Sequence, residues 1–204
     1  MLHRMRHDFS SAQIPGGFSW LNEPHAVAFE RGLVVTTKAG TDFWQRTHYG
    51  FRRDDGHALL AASSDDFSLE TWVEFSPRAK YDQCGLMVRL DAENWIKASV
   101  EYEDANLSRL GCVVTNLGFS DWSTQDVASA VRAIGHRISR RGSDFLVEWS
   151  SDGDHWHQSR VAHLHGLPPG GEAQIGIYAC SPLGDRFECR FAYVDIRDGD
   201  WPTE

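Results

Sequence analysis

Residues 83–103 read QCGLMVRLDAENWIKASVEYE. Leu86, Val88 and Leu90 alternate with Gln83, Gly85, Met87 and Arg89. After the short connection Ala92-Glu93-Asn94, residues Ile96, Ala98, Val100 and Tyr102 alternate with Trp95, Lys97, Ser99 and Glu101. A period of two is the pattern of a half-buried strand, and so short a connection makes the two strands antiparallel neighbours. One face of this hairpin is aliphatic core. The other gathers Gln83, Arg89, Trp95, Lys97 and Glu101 around the small residues Gly85 and Ser99. A face meant only for water is richer in Thr, Lys and Glu, whereas a face that holds a ligand needs room, a ring and a few charged groups. The ordinary alternative is a solvated face carrying an incidental tryptophan.

The same pattern extends outward. Segments 33–38, 67–75, 108–116, 131–140, 144–150, 174–180 and 187–197 also read as extended, separated by turn signals such as Asp54-Asp55-Gly56, Asp152-Gly153-Asp154 and Pro168-Pro169-Gly170-Gly171. Segment 110–116 is apolar on both faces, so it is expected to lie centrally, with its facing left open. One short helix is expected, Gln125 to Ala130. Many strands, short turns and almost no helix make an antiparallel sandwich or barrel, which routinely exceeds 200 residues as one domain. No linker or repeat divides the chain, so 1–204 reads as a single domain with 1–15 as an N-terminal extension.

Composition narrows the function by exclusion. Lys+Arg 20 against Asp+Glu 29 gives a net charge of −9, which argues against nucleic acid and anionic membrane as partners. No apolar run reaches the roughly 18 residues of a membrane span. The start MLHRMRHDFSS has no apolar signal region, so a cytoplasmic location is expected. Cys84, Cys112, Cys180 and Cys189 form no CxxC pair and read as small buried hydrophobes.

The strings FSWLNEP (18–24), TDFWQRTHYGF (41–51), YDQCGLMVR (81–89), NWIKASVE (94–101), VVTNLGFSDWS (113–123) and YACSP (178–182) together resemble a family of domains of unknown function carrying the label "regulation of enolase protein 1". That family belongs to the concanavalin A-like lectin/glucanase superfamily. The resemblance spans about residues 16–197. It implies an all-β jelly-roll sandwich of two curved antiparallel sheets. Fold alone does not assign a function. Retaining glucanases of the superfamily carry E-x-D-x-x-E or E-x-D-x-E on one strand. The nearest segment here, Glu70-Thr71-Trp72-Val73-Glu74, has tryptophan at the middle position, and Glu101-Tyr102-Glu103-Asp104 has no third carboxylate in phase. Their nucleophile and acid therefore do not carry over.

Candidate ligand-binding residues come from distant strings: Trp44 and Tyr49; Asp82, Gln83 and Arg89; Trp95 and Lys97; Asn116, Asp121 and Trp122; and Tyr178. If the concave face gathers them, the mixture suits a sugar, with rings for C–H faces and polar groups for hydroxyls. Glu101 is the first choice for a general acid or base, against a plain ion pair with Lys97 or Arg89. His48 is the second, against a hydrogen-bonded structural role. Lys97 and Glu101 lie about 13 Å apart along a strand, which excludes one tight dyad. Asp121 either accepts hydroxyls or caps a loop. His155, His157, His163 and His165 share parity but sit as two distant pairs, so no metal or other cofactor is expected. Ser150 to Trp156 resembles a sialidase Asp-box lacking one residue and reads as a hairpin turn.

The leading expectation is carbohydrate or sugar-derivative recognition on the concave face, with catalysis left open and a small-molecule or glycan ligand as partner. The alternatives are a non-catalytic regulatory or protein-interaction domain, and a glycoside hydrolase or lyase with an unfamiliar carboxylate arrangement.

Overall fold

Alternation of apolar and polar side chains runs almost the whole length of the chain, and the backbone answers with strands. The computed structural model describes residues 5–199 and Trp201, and among the described residues there is no helix. In chain order the strands begin with β1 (Met5–His7), β2 (Ser19–Leu21), β3 (Ala26–Phe29), β4 (Leu33–Thr36), β5 (Phe43–Gln45) and β6 (Arg52–Asp54). They continue with β7 (His57–Ser63), β8 (Phe67–Ser76), β9 (Gln83–Asp91), β10 (Asn94–Tyr102), β11 (Leu107–Asn116) and β12 (Phe119–Ala128). The last are β13 (Ala133–Arg141), β14 (Asp144–Ser150), β15 (His157–His163), β16 (Ala173–Cys180) and β17 (Glu188–Asp198).

Two antiparallel sheets pack as a concanavalin A-like jelly-roll sandwich. One runs β15-β14-β13-β8-β17-β4-β3, with β1 also on β17, and the other runs β12-β11-β10-β9-β16-β7-β2. Leu69, Val73, Ile134, Ile138, Phe191 and Ile196 from the first sheet meet Leu86, Val88, Ile96, Val100, Ile175 and Ile177 from the second in one continuous core. The facing of 110–116 is resolved by register. Leu110, Cys112 and Val114 enter that core, while Val113 points to the outer side of the second sheet. All four cysteines are free and buried. Cys84 and Cys189 meet across the sandwich, and burial, then the hydrogen bond between them, pushes the Cys84 thiol well up.

The expected helix Gln125–Ala130 is instead the end of β12, an edge strand in register with β11 from Asn116↔Phe119 to Leu107↔Ala128. A six-residue helix is too short to nucleate, whereas the hairpin through Leu117 and Gly118 extends its ladder one residue at a time. Strand β7 escaped the reading because HALLAAS is buried on both faces and does not alternate.

The outer face of the seven-stranded sheet is not open along its length. The small sheet β5–β6 lies over it and buries Phe43 and Trp44 against Ala58, Leu60, Met87, Trp95, Val113 and Tyr178. Burying rings of this size stabilises by roughly 1.5–3 kcal/mol each, so the hairpin is held by packing as well as by the polar ties described below.

Candidate functional site

The site begins with strand register. On the outer face, Lys97 lies level with Met87 and Val113, and Val113 with Trp122. Two residues along, Ser99 lies level with Gly85 and Gly111, and Gly85 with Tyr178. Two further, Glu101 lies opposite Gln83. The middle row has two glycines and a serine and therefore leaves low ground between two taller rows. At Gly85 a Cβ would stand 1.9 Å from the carbonyl oxygen of Ala98, so the position admits no side chain.

Over this ground is a pocket of about 430 Å³. Its floor is Gln83, Lys97 and Glu101. Trp44, Tyr49, Phe51, Trp122 and Leu183 form its walls, and Asp42, Arg53 and Tyr81 stand at its side. The Lys97 Nζ donates to Gln83 Oε1 at 2.7 Å, which also accepts from the Tyr178 hydroxyl at 3.2 Å. The ammonium lies 3.5 Å from Asp42 Oδ1 and 4.0 Å from Glu101 Oε1. Lys97 and Glu101 thus face each other, contrary to the spacing argument. Their side chains lean together over Ser99, and Cα separation along a strand does not limit long side chains.

Electrostatics follow from burial. Lys97 is 2% exposed. Desolvation pulls its ammonium down, but Asp42 and Glu101 outweigh that and hold it above the ordinary lysine range. For Glu101, burial dominates; Lys97 opposes it, Asp42 and Glu103 reinforce it, and the carboxyl titrates at about 7. The floor therefore offers an ammonium donor, an amide and a carboxyl that exchanges its proton near neutrality.

Polar ties fix the walls. Arg89 grips Asp54 with two parallel bonds of 2.8 and 2.9 Å, fastening β6 to β9. The backbone N–H of Gln45 donates to Ser120 Oγ at 2.9 Å, and Arg46 donates to the Gly118 carbonyl at 2.7 Å, fastening the hairpin to the β11–β12 turn. Arg46 and His48 adopt left-handed backbone. So does Tyr81, an uncommon state for a bulky residue. Its neighbour Asp82 accepts from the N–H groups of Arg78 and Ala79 and from the Ser181 hydroxyl at 2.6 Å.

Several expectations need correction. Asp82 is saturated by these bonds and acts as a staple between wall segments, not as a ligand group. Arg89 is consumed by Asp54. Trp95 is fully buried in the second apolar cluster, so its ring has no free face for stacking. Tyr178 is likewise buried beneath the floor, where its hydroxyl donates to Gln83 and its ring lies 5.9 Å from the Lys97 ammonium. Asn116 bridges the backbone of His163 and His165, away from the pocket. Asp121 pairs with Arg160 of β15 at 3.0 Å and lines neighbouring depressions, not the pocket itself. His48 is exposed and lies beyond the Trp44–Trp122 wall, in a shallow neighbouring depression. Trp44, Tyr49, Gln83, Lys97, Glu101 and Trp122 do come together. Asp42, Phe51, Arg53, Tyr81 and Leu183 were missed. The first four lie inside or beside the quoted strings 41–51 and 81–89, but only the folded hairpin brings Asp42, Phe51 and Arg53 over the sheet, and the β8–β9 connection brings Tyr81. Among the described residues no cluster of three or more His, Cys, Asp or Glu is placed to hold a metal ion. The histidine pairs flank the two ends of β15, His163 bonding Asp144 and His157 packing on Trp149.

Comparison with known proteins gives concordant results. Residues 20–198 match the family model described as protein of unknown function (DUF1349). The chain is 37% identical over 165 residues to "Regulation of enolase protein 1" of Saccharomyces cerevisiae, covering 80% of this chain and 81% of that protein. It superposes on the crystal structure of a functionally unknown protein from Saccharomyces cerevisiae with a TM-score of 0.81 at 32% identity, over 92% of this chain and 98% of the other. A GH43 protein from Bacillus licheniformis shares the fold at a TM-score of 0.72 and 15% identity, over 94% of this chain and 39% of that one.

Proposed function

This chain belongs to the family of proteins of unknown function DUF1349, and we propose that its Lys97–Glu101 pocket recognises a carbohydrate or sugar derivative. The observation that carries this reading is the meeting of an ammonium, an amide and a carboxyl on a floor walled by Trp44, Tyr49 and Trp122. Ligand sites are concave, mostly apolar and oriented by a few polar groups. Sugars match that mixture, since their C–H faces pack on rings while their hydroxyls need both donors and acceptors. The sandwich shared with GH43 proteins is a likeness of fold and adds weak support only. Any reaction would fall to Glu101, the one floor carboxyl placed to exchange a proton near pH 7. A cytoplasmic location agrees with four unpaired buried cysteines.

The test is a binding screen by calorimetry against monosaccharides, disaccharides, sugar acids and sugar phosphates. Lys97→Met and Glu101→Gln should stay folded and lose binding of any hit. A screen without a hit, or hits untouched by both substitutions, rules the reading out.

A second reading is a regulatory role through a protein partner, which the name of the yeast relative suggests for that protein. Leu117 and Phe119, both largely exposed at the β11–β12 turn, favour it. A partner bound there would be lost on substituting both with serine, with sugar binding unaffected.

A further inference from the structure

The pocket is graded in polarity from bottom to top. Its floor groups Gln83, Lys97 and Glu101 are all buried. Its apolar wall residues face water, Tyr49 51% exposed, Phe51 43% and Leu183 67%, and the partly exposed cation on the lining, Arg53, is paired with Asp55 at 2.9 Å. The Tyr49 and Phe51 rings lie 5.6 Å apart and 22° from parallel, and Trp44 abuts Tyr49 edge-on at 5.4 Å. Scattered exposed apolar residues need no explanation, but these three line one cavity entrance.

From this gradient we propose that the ligand is amphipathic: a glycoside whose sugar ring meets the Gln83–Lys97–Glu101 floor and whose aryl or alkyl aglycone lies between Tyr49, Phe51 and Leu183. The proposal rests on the carbohydrate reading and narrows it. A free sugar on the floor would leave the mouth residues in water, with outward hydroxyls set against apolar walls. A wholly apolar ligand would strip water from Lys97 and Glu101 and give nothing in return. An aglycone satisfies both ends. The volume agrees: a cavity of roughly 150 Å³ holds a benzene ring, and this pocket of about 430 Å³ has room for a sugar and a second ring.

The experiment titrates the full chain with matched methyl and phenyl glycosides of glucose, galactose, xylose and arabinose, and with phenol alone. For at least one sugar the phenyl glycoside should bind about tenfold or more tighter than the methyl glycoside, from the apolar area it removes from water. Leu183→Ser and Phe51→Ser should each shrink the ratio of phenyl to methyl affinity toward one, and a ratio unchanged in both variants overturns the aglycone contact. Equal affinities within every pair overturn the amphipathic ligand and leave the carbohydrate reading standing. Phenol binding as tightly as its glycosides, or no binding in any pair, overturns both.

Discussion

Lys97 of β10 donates to Gln83 of β9 at 2.7 Å across Gly85, the glycine that separates them on the sheet face. The two residues are not opposite one another in register; Gln83 faces Glu101, and Lys97 faces Met87. The diagonal contact exists because Gly85 and Ser99 leave nothing in between. It holds an ammonium under 2% exposure beside an amide and two carboxylates. A buried charge is tolerated when it is paired and hydrogen-bonded, and such arrangements concentrate at functional sites.

Glu101 makes stability depend on pH. Its carboxyl titrates at about 7 in the folded chain against an ordinary 4.5, chiefly because burial penalises the charge. The folded state therefore binds this proton more tightly than the unfolded state. The contribution is fully present below about pH 4.5 and is lost as pH rises through 7. Glu101→Gln removes the titration, so the variant should gain on the parent between pH 5 and 8, by up to about 3 kcal/mol. Denaturant midpoints measured across that range are the check; parallel curves would contradict the assignment.

His136 works in the opposite direction. It shares the inward parity of Ile134 and Ile138, its Nε2 has no partner, and burial pushes its imidazole down to about 3. Stability from the neutral ring is present above the unfolded value near 6.5 and falls as pH drops, by about 1.4 kcal/mol for each unit until the ring protonates. His136→Leu should flatten the acid limb of the stability profile and match or exceed the parent at pH 7. An unchanged acid limb would show that other groups set it.

The Arg89–Asp54 clamp should govern the hairpin that walls the pocket. Arg89→Met loses two charge-assisted bonds at a nearly buried position, a cost of about 2–4 kcal/mol. Amide exchange should quicken across Phe43–Asp54 and stay unchanged in β10 and β11. As a control, Arg109→Met removes the exposed pair with Asp126 and should leave both regions alone. Equal protection in both variants would detach the hairpin from the clamp.

Gly85 is the steric condition for the floor. A methyl there meets the Ala98 carbonyl at 1.9 Å, so β9 and β10 must separate. Gly85→Ala should cost more than about 2 kcal/mol, and it should also weaken binding of any pocket ligand. Full stability in a melting experiment would mean that the strands can part freely.

How much was legible in the chain divides along one physical line. Parity in 83–103 separated Gln83, Lys97 and Glu101 from Leu86, Val88, Ile96 and Val100 before any coordinates, because side chains of a strand alternate rigidly and register follows a short turn. The repetition of that pattern made the sandwich readable, and so did the resemblance to the family. Trp44 and Trp122 were legible as site residues only through the shared strings.

Tertiary structure decided everything that depends on which segment lies over which face. The hairpin β5–β6 folds across the outer face. Trp95 and Tyr178 thereby become packing, Arg89 a clamp and Asp82 a staple, while Asp42, Phe51 and Arg53 enter the pocket. Asp121 left the site because it pairs with Arg160 of β15, while Gln125–Ala130, locally acceptable as a turn of helix, was captured by the growing ladder of β11. Local sequence encodes the period of a strand and the faces it presents. Coverage of a face is a contact between residues far apart in the chain, 75 positions for Gln45 with Ser120 and 35 for Asp54 with Arg89, and no periodicity within either segment specifies its partner.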